Sequence, residues 1–197
     1  MIKLGITGGI GSGKTTICRL LESFGVPVYY ADIEAKNLMN TDSEIKEVLL
    51  DWFGPDLYAS GSLDRALLAS YIFSDKEKLQ RVNNLVHPRV AAHFTNWQLT
   101  QKTKCIAKEA AILFESGSYK QMDAVLSVNA PENIRIDRVM KRDGVSKEDV
   151  IQRLSKQWTD EQRSEKANYT INNDGNTLVL PQLITLLKAL NLYEENL

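Results

Sequence analysis

Apolar residues open the chain as a short run, Ile2-Lys3-Leu4-Gly5-Ile6-Thr7, which reads as a strand. The period then changes. Ile17, Leu20, Leu21 and Phe24 recur at helical spacing, and Gly25 punctuates the helix they predict. Pro27-Val28-Tyr29-Tyr30 reads as a second short strand ending in Ala31-Asp32, and a helical pattern resumes from Ile33 to Met39. Thr41 and Glu44 have the spacing of a capping box for a helix through Trp52, and Gly54-Pro55 and Ser60-Gly61 mark turns. From Leu63 to about Thr103 the pattern is helical throughout. Within it, Ser74 and Glu77 signal a restart, and Pro88 reads as lying just inside another helix, where proline is tolerated. Strand character returns over 105–114 and 124–129. Pro131 opens a helix that ends at Gly144, and Ser146 with Asp149 caps another through Trp158. Tyr169-Thr170-Ile171 is a last strand, followed by the turn Asn172-Asn173-Asp174-Gly175 and an amphipathic helix carrying Leu178, Leu183, Leu186, Leu187 and Leu190.

Strands alternating with helices predict an α/β fold, a parallel sheet with helices on both faces. The strandless stretch departs from that alternation and reads as a substrate-binding insertion. The expected organisation is one domain: a core of residues 1–32, 104–140 and 167–197, an insertion over 33–103, and a polar helical excursion over 141–166 that reads as a lid.

The 197-residue length fits one such domain with an insertion. A net charge of −1 without a basic stripe suggests no nucleic-acid partner. Cys18 and Cys105 form neither a disulfide framework nor a zinc spacing, and read as small core residues. His87 and His93 do not share a helix face, which speaks against a histidine metal site. The N-terminus enters a strand at once and no apolar run has membrane-spanning length, so a soluble, cytoplasmic protein is expected.

Candidate chemistry concentrates in "GITGGIGSGKTT", residues 5–16. Gly8 to Thr15 spells G-x-x-x-x-G-K-T between a predicted strand and a predicted helix, the context a P-loop requires. Glycines let backbone N–H groups curl inward onto phosphate oxygens, and the helix adds its positive N-terminal end. The loop from Gly8 to Thr15 therefore marks a nucleoside triphosphate site. Lys14 is placed to reach the β and γ phosphates, and the Thr15 hydroxyl to meet Mg²⁺.

The loop alone does not choose between a switch GTPase, a mechanical ATPase and a small-molecule kinase. No N-K-x-D follows a later strand, and Asp51-Trp52-Phe53-Gly54 ends a helix rather than a strand. The nearest strand for an ATPase-type acidic pair, Ile112-Leu113-Phe114-Glu115, offers one carboxylate. A kinase needs a carboxylate to orient the acceptor, arginines over the transferring phosphoryl group, and a lid. Asp32, at the C-terminal end of the second strand, fits the first role; capping the following helix is its alternative. Arg135, Arg138 and Arg142 share one helix, with Arg138 and Arg142 on one face, and Arg142, Arg153 and Arg163 straddle the polar excursion.

Together these segments resemble dephospho-coenzyme A kinases. "VPVYYADIEAK", "LDRALLASYIFSDKEKLQRVNNLVHPRV", "AAILFESG", "RVMKRDGVSKEDVIQRLSKQW" and "YTINNDGN" are similar to that family's segments in order, over nearly the whole chain. Ala111 stands where the family usually has proline, and Asn172 where it usually has aspartate. The resemblance implies phosphorylation of the ribose 3′-hydroxyl of dephospho-CoA by ATP, giving CoA and ADP. It implies a nucleotide-binding core, a helical CoA-binding insertion and a mobile lid. It implies that Gly11, Ser12, Gly13, Lys14, Thr15 and Thr16 hold the ATP phosphates, makes Asp32 the catalytic carboxylate and Arg142 a lid residue, and sets Asn173 and Gly175 near the adenine. Arg65, His87, Glu115 and Gln157 would line or support the acceptor side. A local helix-capping role is the alternative for His87.

Overall fold

The computed structural model describes residues 1–72 and 75–193. Its strands are β1 (Ile2–Thr7), β2 (Val28–Tyr30), β3 (Cys105–Glu109), β4 (Ala124–Asn129) and β5 (Tyr169–Asn172). Its α-helices are α1 (Lys14–Ser23), α2 (Ala31–Thr41), α3 (Ser43–Phe53), α4 (Arg65–Ile72), α5 (Lys76–Leu99), α6 (Glu132–Asp143), α7 (Lys147–Leu154), α8 (Asp160–Lys166) and α9 (Val179–Ala189). The chain divides into two compact units, residues 1–30 with those from 101 onward, and residues 31–100.

The first unit holds the sheet. All its pairings are parallel, in the order β2-β3-β1-β4-β5. β1 is central, with β3 and β4 beside it, so these strands are buried almost end to end, as a sheet covered on both faces requires. Leu4, Ile6 and Leu126 from the sheet join Ile17 and Leu21 of α1 and Leu183 of α9 in one apolar cluster. A smaller cluster ties α6 to α7 through Ile136, Val139 and Val150.

Several sequence expectations are corrected here. The apolar run 105–114 is not one strand. β3 stops at Glu109 and residues 111–117 turn. Leu113 is nevertheless fully buried, because it fills the space over Gly5 of β1 where any side chain would sit: a Cβ there would meet Leu113 Cδ2 at 2.7 Å. Burial in a turn and burial in a strand leave the same apolar signature. The region after Ser146 is also two helices, not one. The Ser146–Asp149 capping box opens α7, and a second box between Thr159 and Gln162 opens α8.

The second unit is helical, with α5 as the spine against which α2, α3 and α4 pack. Val82, Val86, Val90 and Phe94 form its buried stripe at helical spacing. Pro88 opens no helix; it lies inside the 24-residue α5. It faces solvent while the stripe runs past it, so packing on the opposite face carries the helix over the missing N–H. Ser74 lies outside the described residues, and Asp75 caps α5 by accepting from the Glu77 and Lys78 N–H groups. Thr41 does not cap α3. Its hydroxyl donates back to the Asn37 carbonyl, and Asp42 accepts from the Ile45 N–H at 3.0 Å.

That geometry makes a prediction. Asp42→Ala should lower stability by about 1 kcal/mol, Asp42→Asn by less, because asparagine also caps. Thr41→Val should stay within about 0.5 kcal/mol of the parent. Urea unfolding of the three variants checks the order.

Candidate functional site

β1 delivers the chain into the glycine loop and α1 leaves it, so the loop sits at the C-terminal edge of the sheet, where open α/β sheets bind ligands. Gly8, Gly11 and Gly13 all have positive φ, which side chains rarely adopt. Close approach adds a second reason for glycine. A Cβ on Gly8 would overlap the Val128 carbonyl of β4, one on Gly13 the Asn173 amide, and one on Gly11 would meet the Arg135 carbonyl at 2.5 Å. Gly9 sits against the Arg135 guanidinium in the same way.

Side chains from distant segments fix the loop's outer face. Asn173 donates to the Ser12 carbonyl at 2.8 Å and is anchored by its own N–H on Asn129. Gln157 accepts from the Ile10 N–H at 2.9 Å. Arg138 Nη1 lies 3.4 Å from the Gly11 carbonyl. Inside the loop, Lys14 Nζ donates to the Gly8 carbonyl at 2.9 Å and lies 3.8 Å from the Glu109 carboxylate. Thr15 and Thr16 are exposed in the first turn of α1. The Ser12 hydroxyl is buried without a hydrogen-bond partner among the described residues.

Beneath Gly9 lies a buried charge cluster. Arg163 is fully buried and donates to Asp160 at 2.9 Å, and Arg135 lies 3.6 Å from the same carboxylate. Burial lowers the Arg163 pKa, with Asp160 and Glu115 opposing that shift. Glu115 accepts from the Trp158 N–H at 3.2 Å, while its other oxygen is buried and unpartnered. Trp158 stacks on Phe114. A cavity of about 660 Å³ opens beside this cluster, between the β4–α6 junction, α7 and the end of β5; none of its lining residues belongs to the loop.

The structure thus gathers Gly11 to Thr16, Asn173 and Gln157 around one loop. Gln157 holds the loop itself, a contact its expected place on the acceptor side did not foretell. Gly175 has φ +86° in an open turn two residues past Asn173. Arg142 is not at the loop. Its side chain is 62 % exposed and donates twice to Asp143, which also takes Arg153. Arg138, one turn earlier, is the residue that reaches the loop. In the second unit, Asp32 is the second residue of α2, exposed and two residues beyond the end of β2. It is therefore not the cap before that helix, and β2 ends sooner than expected. Arg65 opens α4 and is exposed. His87 lies in mid-helix in α5, so it caps no helix start.

Sequence reading missed Glu109, because a strand drawn through to Phe114 put the terminal acid at Glu115. It missed α8, although Thr159-x-x-Gln162 was a legible signal. Cys18 and Cys105 are buried and unpaired. Burial raises both thiol pKa values, that of Cys105 to about 11, so neither is a ready nucleophile. Among the described residues no helix is long and apolar enough to cross a membrane, and no cluster of three His, Cys, Asp or Glu side chains is able to hold a metal.

The family model for dephospho-CoA kinase matches residues 2–178. The chain belongs to the dephospho-CoA kinase family. A dephospho-CoA kinase of Bacteroides fragilis is 41 % identical over 190 residues, covering 96 % of this chain and 93 % of that one. Among solved structures, TT1252 from Thermus thermophilus superposes with a TM-score of 0.83 at 34 % identity, covering 96 % of each chain. A dephospho-CoA kinase from Campylobacter jejuni gives 0.69 at 25 % identity, covering 94 % of this chain and 95 % of that one.

Gly11→Ala tests whether this kinase's loop depends on close approach. The methyl group meets backbone, which cannot step aside. Stability should fall by about 1–3 kcal/mol and ATP affinity with it. Calorimetric ATP titration showing parent-like affinity would contradict the geometry.

Proposed function

We propose that residues 8–16 hold the phosphates of ATP, that Asp32 aligns the acceptor hydroxyl, that residues 31–100 receive dephospho-CoA, and that 141–166 act as a lid. The reaction is the one the family performs: ATP phosphorylates the ribose 3′-hydroxyl of dephospho-CoA, giving CoA and ADP, the last step of coenzyme A biosynthesis. The observation that carries the assignment of roles is the loop itself, curled by glycines and braced by Asn173, Gln157 and Arg138, with Lys14 folded inside it.

Phosphoryl transfer passes through a loose transition state, so the protein's contribution is alignment and charge neutralisation. Lys14 leaves the Gly8 carbonyl for the β and γ phosphates. Arg142 is paired with Asp143, and lid closure exchanges Asp143 for phosphate. Asn173 and Gly175 border the adenine. Arg65, His87 and Glu115 support the acceptor side, and Gln157 ties it to the loop.

The residues also fit a magnesium ion. Thr15 is exposed in the first turn of α1, the Ser12 hydroxyl three residues earlier is buried without a partner among the described residues, and the cradle is one that a Cβ would fill. When bound, Mg²⁺ supplies charge neutralisation across the β and γ oxygens.

Asp32 accepts the hydrogen bond of the 3′-hydroxyl and takes its proton late, so orientation outweighs base strength. Asp32→Asn keeps the shape and removes the charge. It should bind ATP normally and transfer phosphate about 10²-fold or more slowly. ADP formation with dephospho-CoA reads this out; parent-like turnover would remove Asp32 from catalysis. Lys14→Ala should lose activity by orders of magnitude while remaining folded.

The lid reading has its own test. Amide exchange over 141–166 should slow when an ATP analogue and dephospho-CoA are both bound, since closure excludes water. Unchanged exchange there would count against closure.

A further inference from the structure

Side chains from outside brace the glycine loop, and they do not all grip it the same way. Asn173 and Arg138 donate to carbonyls, those of Ser12 and Gly11. Gln157 instead accepts, from the Ile10 N–H at 2.9 Å. The peptide that carries this N–H is trans and planar, with its C=O and N–H on opposite edges. An N–H held from outside therefore turns the carbonyl of the same peptide inward, and that carbonyl belongs to Gly9. It accepts from the Ser12 N–H at 3.1 Å and lies 3.5 Å from Lys14 Nζ, which also donates to the Gly8 carbonyl at 2.9 Å.

Glycine leaves this peptide plane soft. Its tilt depends on ψ of Gly9 and φ of Ile10, and the Arg135 guanidinium fills the place where a Cβ on Gly9 would stiffen it. Gln157, by contrast, is a fixed post. Its own N–H donates to the Leu154 carbonyl at 3.0 Å. The next N–H, that of Trp158, donates to Glu115 at 3.2 Å, and the Trp158 ring stacks on Phe114. The position of Lys14 Nζ beside Gly8 and Gly9 marks this part of the loop as the β/γ end, since a P-loop lysine serves those two phosphates. Asn173 and Arg138 act further along the loop, toward α1.

We infer that Gln157 is a positioning residue for the terminal phosphate. By gripping the Ile10 N–H it fixes the Gly9–Ile10 peptide, and through that peptide's carbonyl the place from which Lys14 meets the γ-phosphate. This rests on the nucleotide reading above, and it makes the junction of α7 and α8 a determinant of triphosphate over diphosphate binding.

The experiment titrates ADP and a non-hydrolysable ATP analogue into the parent and into Gln157→Leu, which removes the acceptor. The variant should bind the ATP analogue about tenfold more weakly and ADP no more than about threefold more weakly, the scale of one lost hydrogen bond felt mainly at the last phosphate. Without ligand, its Ile10 amide should exchange faster than the parent's, and Gln157→Glu, which keeps an acceptor, should restore slow exchange. Equal weakening of both nucleotides would reduce Gln157 to general support of the fold and overturn the inference. Parent-like affinity for both, or fast Ile10 exchange in Gln157→Glu, would overturn it as well. A parent protein that binds neither nucleotide would sink the phosphate site itself, and the inference with it. A second measurement needs no leucine variant. In the parent, the ATP analogue should shift the Ile10 amide resonance and the Gln157 side-chain amide resonance, assigned by its absence in Gln157→Glu, further than ADP does; equal shifts would overturn the inference.

Discussion

The loop's shape depends on backbone meeting backbone. At Gly8 and Gly11 there is no room for a single carbon, because the Val128 carbonyl of β4 and the Arg135 carbonyl of α6 occupy that space. At Gly13 the Asn173 amide does the same from the end of β5. These three partners come from segments more than a hundred residues away in sequence, all delivered to one edge of the sheet by parallel pairing. The sheet therefore sets the curl of the loop before any ligand arrives. In the proposed ATP site, N–H groups fixed in advance would cost no reorganisation when charge moves during transfer.

Charge follows the same plan. Arg135 and Arg163 share Asp160 beneath Gly9, with Arg163 fully buried, and Glu115 adds a second carboxylate nearby. The pairing keeps two guanidinium groups buried under the loop at tolerable cost. Three of their guanidinium nitrogens remain without acceptors among the described residues. The cluster also links α6 and α8 to the loop, and Gln157 between α7 and α8 adds the Ile10 contact. The segment expected to move as a lid is thus fastened to the loop at its C-terminal part, while Arg142 and Arg153 at its other end pair with Asp143 on the surface.

Much of this was legible in the sequence, for identifiable reasons. β1, β4, β5 and the α6 termini follow from apolar runs bounded by glycine, proline and turn residues, signals that act locally. The phosphate loop is legible because its glycines, lysine and threonine each answer a separate physical need. What the sequence hid depended on tertiary partners. Leu113 covers the sheet and Phe114 packs against Trp158, both from a turn, and nothing local separates that from a strand. Pro88 is carried inside α5 by a stripe of valines whose burial only the folded unit reveals. Gln157 meets Ile10 across 147 residues, which no spacing rule reports. Glu109 was obscured by a single boundary error of a few residues. Of the second unit's candidates, Asp32 was nameable from its place after the second strand, whereas Arg65 and His87 were nameable only through family resemblance, since neither sits in a self-explanatory local pattern.

The central claim is that this loop and this helical unit serve transfer of phosphate from ATP to the ribose 3′-hydroxyl of dephospho-CoA. Mass and phosphorus NMR analysis of products formed from MgATP and dephospho-CoA tests it most directly, with AMP, adenosine and CoA as alternative acceptors. The account predicts CoA carrying a new 3′-phosphate, one ADP for each CoA, and no turnover of CoA itself. Preference for AMP or adenosine, a phosphate at another position, or ADP released as inorganic phosphate accumulates without acceptor modification would contradict it.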